Sequence, residues 1–183
     1  MTTGISAPTS TTGALQINGT DAVTFDATGI LTGLGSKRVL QVAAATPYTT
    51  YTNTAATLPF DDTAPLSSEG LQILTATITP QSSASSLMCI WFFTGAASTS
   101  AGHISVAVFR DGTAKGTVSG GGDNVQMSNL SGSFIVAAGS TASTTFTLNY
   151  GVDTGTAYVN GTSSGRKFGG VSAAYLFVIE VAA

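Results

Sequence analysis

The chain has 183 residues, of which 43% are apolar and only 8% charged, with a net charge of −3 from six Lys/Arg and nine Asp/Glu. An average soluble domain carries about 25% charged residues, so hydroxyl side chains, asparagine and 22 glycines must supply the wet surface. Six scattered cations argue against a polyanion, nucleic acid included, as the ligand, and a single cysteine and a single histidine leave neither a disulfide framework nor a zinc ligand set.

A surface this poor in charge keeps monomers apart badly, which points to cover by copies of the chain or by a partner. The first residues, "MTTGISAPTSTTG", have neither a basic start nor an apolar stretch, and the apolar runs fall far short of the ~20 residues of a membrane span. The expectation is a protein made in a cytosol, soluble and without membrane insertion.

Residues 1–36 repeat. Leu15, Val23 and Leu31 stand eight apart, Ile17 and Phe25 keep the same spacing, and Asn18 and Asp26 follow at turn positions. "ALQINGTD" and "AVTFDATG" are thus two copies of a short strand-and-turn unit that cannot bury its apolar side alone. Three chains wound side by side would bury it, and so would packing as an edge hairpin on the chain's own main domain. This segment is read as an extended anchoring arm or short shaft, with residues 37–183 as the domain it carries.

From residue 38 onward the period is two. "RVLQVAAAT" (38–46), "LQILTATITP" (71–80), "ISVAVF" (104–109), "GSFIVAA" (132–138), "TTFTLNY" (144–150) and "AYLFVIEV" (174–181) alternate as strands do, with Gly, Ser, Asp and Asn between them. In "TTFTLNY", Phe146, Leu148 and Tyr150 share one face while threonines take the other, the pattern of a sheet with one wet side. The domain is read as an all-β antiparallel sandwich. Asp111-Gly112 and Asn160-Gly161 are expected to close tight hairpins, and "SGGGDNVQMSN" (119–129) to form a flexible loop.

Catalytic chemistry finds no place in this pattern. His103 enters a strand with no nucleophile motif in view. Asp61 and Asp62 in "LPFDDTAP" read as turn caps and not as part of a calcium loop. No catalytic residue, metal or cofactor is expected. Trp91, Phe92 and Phe93 are contiguous, so in a strand they point to both faces, and core or interface packing outweighs a sugar platform. Tyr48 and Tyr51, set among hydroxyl residues in "TPYTTYTN", are the candidate ligand residues.

Five stretches then carry a resemblance: "LPFDDTAPLSSEG", "ITPQSSASSL", "VAVFRDGTAKG", "ASTTFTLNYG" and "VNGTSSGRKFGGVSAAYLFVIEV". In order and spacing they resemble C-terminal domains of tailed-bacteriophage virion proteins, labelled tail fibre, head fibre or structural protein, over about residues 38–183. The resemblance implies a trimeric jelly roll with no enzymatic activity, located in the virion, with "GRKFGG" as the last hairpin turn and "VSAAYLFVIEV" as a central closing strand. "CIWFF" is more aromatic than the corresponding strand of that group, and the triple glycine is a second departure.

Together these readings give a homotrimeric fibre or decoration protein bound to phage capsid or tail proteins through its arm. Leu15, Ile17, Val23, Phe25, Leu31, Trp91, Phe93 and Phe177 are the expected trimer or anchoring contacts. The rival reading is a tail-fibre module that binds a host surface glycan.

Overall fold

The computed structural model describes residues 38–99, 102–121 and 125–183, together with the backbone of three short strands nearer the N-terminus. These are β1 (Gly13–Ile17), β2 (Thr20–Phe25) and β3 (Leu31–Thr32), an antiparallel meander in which Leu15 pairs with Val23 and Phe25 with Leu31. The side chains of Leu15, Ile17, Val23, Phe25 and Leu31, and the expected turns at Asn18 and Asp26, lie outside the described residues. The chain divides into two compact units after Arg38.

The second unit is built from β4 (Val39–Ala44), β5 (Thr52–Thr54), β6 (Leu71–Ile78), β7 (Ser86–Ala97), β8 (His103–Arg110), β9 (Thr113–Gly121), β10 (Ser128–Ala137), β11 (Thr144–Val152), β12 (Ala157–Val159), β13 (Gly161–Thr162), β14 (Gly165–Arg166) and β15 (Tyr175–Val181). One sheet runs β4-β15-β7 and continues to β10 on the far edge of β7, with β12 and β5 extending its upper part. The other runs β6-β11-β8-β9. Counting only the eight long strands, the first sheet holds the first, eighth, third and sixth, and the second holds the second, seventh, fourth and fifth. That interleaving is the double Greek key of a jelly roll.

Alternation explains the packing. Leu87, Cys89, Trp91 and Phe93 of β7 face Phe146, Leu148 and Tyr150 of β11 across a core that water does not reach. Trp91 fits because β9 and β10 place glycines against it: a Cβ on Gly132 would lie 2.3 Å from the indole, and one on Gly116 2.8 Å. At one end Arg110 donates to the carbonyls of Ala137 and Ala138, 2.7 Å each, and its guanidinium lies 5.9 Å over Phe146. This ties the β8-β9 turn to the β10-β11 loop.

Asp111 and Gly112 both have positive φ, 48° and 80°, and close the β8-β9 hairpin as expected. Asn160 has a positive φ of 58°, but Asn160-Gly161 closes no hairpin. Its buried amide donates to the carbonyls of Tyr48 and Thr50, so it is a kink that sends the chain from β12 into β13. The last hairpin is β13-β14, which turns at Ser163-Ser164 ahead of the "KFGG" part of "GRKFGG". The expected loop 119–129 is shorter than read: β9 runs to Gly121 and β10 begins at Ser128. β15 is the closing strand and lies between β4 and β7.

Candidate functional site

The outward residues of the sheet β4-β15-β7-β10 form ranks across the strands. One rank is Ala44, Phe177, Ile90 and Ser133; the next is Val42, Ile179, Met88 and Ile135. Val39 and Val181 continue the face at one end, and Tyr175 beside Phe92 at the other. None of these side chains is charged. Val42 is 57% exposed, Ile135 63% and Phe92 49%, at the rim of the face, while Phe177, Ile179, Met88 and Ile90 between them are half-buried. Four strands about 4.8 Å apart and seven residues long span roughly 19 by 23 Å. That is the size of the largest apolar patch on an ordinary monomer, and such patches often serve contacts.

The inward partners of this face are all committed to the core. Leu176 and Val178 are buried, and so is Glu180, whose position in the same inward row would be costly for a bare carboxylate. Its oxygens accept the N–H groups of Gln81 and Ser82, the amide of Gln41 at 2.6 Å and the hydroxyl of Ser85. Burial pushes its pKa up, but these hydrogen bonds outweigh burial and hold it below the usual carboxylate value. Glu180 therefore binds β4, β15 and the turn before β7 into one unit.

Trp91 and Phe93, expected at the assembly contact, are each 2% exposed and belong to the core of the single chain. The residue between them, Phe92, points outward instead. Phe177 does stand on the outer face, stacked on Tyr175 at 6.0 Å. The parity of β7 was not readable from "CIWFF" alone, because either set of alternate residues is apolar. In the fold, Gly116 and Gly132 leave the room that the inward Trp91 fills.

Tyr48 and Tyr51 come together near Asn160, but their hydroxyls are used within the chain. Tyr48 bonds Thr52 at 2.6 Å, and Tyr51 donates to the carbonyl of Thr162 at 2.9 Å while its ring stacks on Tyr158. His103 Nδ1 lies 2.9 Å from Asp153, whose other oxygen accepts the His103 backbone N–H, and Phe60 stacks on the imidazole at 4.1 Å. Burial raises the Asp153 pKa, but the bonds from His103 lower it further than burial lifts it. The pair thus fastens the start of β8 to the end of β11.

Asp61 accepts from the N–H and hydroxyl of Thr63, as a turn cap does. With Asp62 and Pro65 it borders an open cleft of about 360 Å³ against Ala114, Lys115 and Thr117. Among the described residues no three His, Cys, Asp or Glu side chains are grouped to hold a metal ion. Cys89 is buried and its thiol is pushed up to about 12 by burial.

No family model matches the chain, and no curated protein is significantly similar to it.

Proposed function

We propose that the chain is a non-enzymatic structural component of a tailed-bacteriophage virion: a short fibre or capsid decoration protein whose jelly rolls associate in threes and whose first 36 residues attach them to the particle. The observation that carries this reading is the uncharged, uncovered face of β4-β15-β7-β10. Its occupant is the same face or edge of further copies. Nothing on the face offers a charge for a dissimilar partner to complement, and its roughly 440 Å² of plan area makes it the centre of a contact that neighbouring surface completes toward the ~800 Å² each partner of a stable complex contributes.

Three copies, as the resemblance to phage fibre heads implies, form a closed ring. A jelly roll is a fold that viral shell proteins use. A glycan-reading role has no comparable support, since the hydroxyls of Tyr48 and Tyr51 are spent internally.

Light scattering tests the assembly. Three 18.3 kDa chains give roughly 55 kDa; a monomer would remove the assembly reading, and a dimer would keep the face but retire the trimer. Attachment is tested separately by adding the protein, with and without residues 1–36, to particles that lack it. A truncated protein that still attaches would move the anchor to the jelly roll.

A further inference from the structure

We propose that the turn between β14 and β15 is a docking tip for a lipid surface with anionic headgroups. Phe168, Gly169 and Gly170 have φ of 53°, 62° and 93°, three successive residues in the left-handed region. Gly takes that conformation freely, but a bulky aromatic residue does not. Phe168 gains no burial in exchange, since it is 71% exposed, and Val171 beside it is 84% exposed. Strain of this kind at an exposed apolar residue suits a contact made outside the chain.

The tip is held firmly from below. The N–H of Lys167 donates to the carbonyl of buried Asn160, the N–H of Gly170 to Lys167 and that of Val171 to Phe168. Ser172 donates to the Asn160 side chain. These bonds, 3.2–3.4 Å long, set the direction in which the two apolar side chains are presented.

Charge selects the partner. Arg166 and Lys167 are two of the six cations in the protein, and no acidic residue occurs between Asp153 and Glu180. Neither cation makes an ion pair among the described residues; Lys167 reaches only the hydroxyl of Ser164 at 2.8 Å, and Arg166 lies along Gly170. On a chain of net charge −3, this is a local positive spot with an apolar point. Apolar side chains set in the headgroup layer with cations against lipid phosphates is the combination that binds anionic bilayers. The contact is peripheral, in keeping with the absence of a span in the sequence.

The test is flotation of the full chain with phosphatidylcholine vesicles, with and without phosphatidylglycerol. Binding is expected only with phosphatidylglycerol and is expected to weaken in high salt. The double variant Phe168→Asn, Val171→Ser should lose about tenfold or more of that binding. Because Asn tolerates positive φ better than Phe, its melting temperature should equal or exceed that of the parent. Absence of vesicle binding would overturn the proposal and leave the tip to a protein contact. Binding that is equal on uncharged vesicles or unchanged in the double variant would also overturn it, and so would a lowered melting temperature, which would make Phe168 a packing residue.

Discussion

The two sheets of the jelly roll share a core but treat their outer faces in opposite ways. On β6-β11-β8-β9 the chain itself supplies a cover: the segment between β5 and β6 crosses β8 and buries Leu58 against Ala107 and Phe109. The Leu58 N–H donates to the Val152 carbonyl of β11, the Gly70 N–H closes the segment on the Thr57 carbonyl, and Phe60 stacks on His103. Where the strap does not reach, the face carries Thr75, Thr77, Thr145 and Thr147, paired across the strands. On β4-β15-β7-β10 the described residues supply no such cover for Val42, Phe92 and Ile135, which stay about half exposed or more, and the outward hydroxyls of Ser131 and Ser133 stand on the edge strand β10. Apolar residues fill the outward positions of β4, β15 and the middle of β7, so the two outer faces differ in composition.

Removing the strap's anchor should have the largest effect on stability. Leu58 is 1% exposed, and Leu58→Ala should cost about 2–5 kcal/mol in denaturant melts, the range for emptying a buried leucine site. A loss near zero would mean that the strap covers the sheet without stabilising it.

That strap was the part of the fold least legible in the sequence. The strands could be read because alternation is a direct consequence of their two-residue period, and β4, β6, β8, β10, β11 and β15 each show it. "LPFDDTAPLSSEG" has no period, since it follows the contour of a sheet whose shape is set by distant strands. One trace of it was present: in "ISVAVF" the second face, with Ala107 and then Phe109, is also apolar, which is the composition of a strand covered on both sides. The outward apolar residues were not legible as a set: Phe177 stands on the outer face, whereas Trp91 and Phe93 could not be told from Phe92 without knowing which way β7 faces.

The uncovered face is probed by charge. Ile179→Asp should leave the core intact, because the side chain points away from it, and should convert the proposed assembly of roughly 55 kDa to the 18.3 kDa chain. An unchanged mass would place the contact elsewhere and remove the contrast between the two sheets.

A smaller effect is expected from acid. Glu180 has its folded pKa lowered from 4.5, so the unfolded chain takes up its proton first as pH falls. Its contribution to stability is therefore full above about pH 4.5 and is lost as pH drops through the folded value. Asp111 and Asp153 shift the same way. Glu180→Gln should shallow the acid limb of a stability profile without abolishing it. Profiles of equal slope would show that the network around Glu180 does not distinguish the charged from the neutral form.

The smallest effect belongs to the threonine face, and it completes the comparison. Thr145 and Thr77 stand opposite each other with their hydroxyls 3.3 Å apart, at the outer limit of a hydrogen bond and open to water. Water can replace either partner, so Thr145→Asp should change stability by only about 0.5 kcal/mol, the usual scale for a surface site. It should also leave the mass in light scattering at the parental value, because this face already meets solvent. Thr145 and Ile179 occupy equivalent outward positions on central strands of the two sheets, and the same aspartate is introduced at each. If both substitutions dissociate the protein, charge alone is disrupting it and the apolar face has no special status. Dissociation by Ile179→Asp alone assigns the contact to the sheet with the apolar outer face.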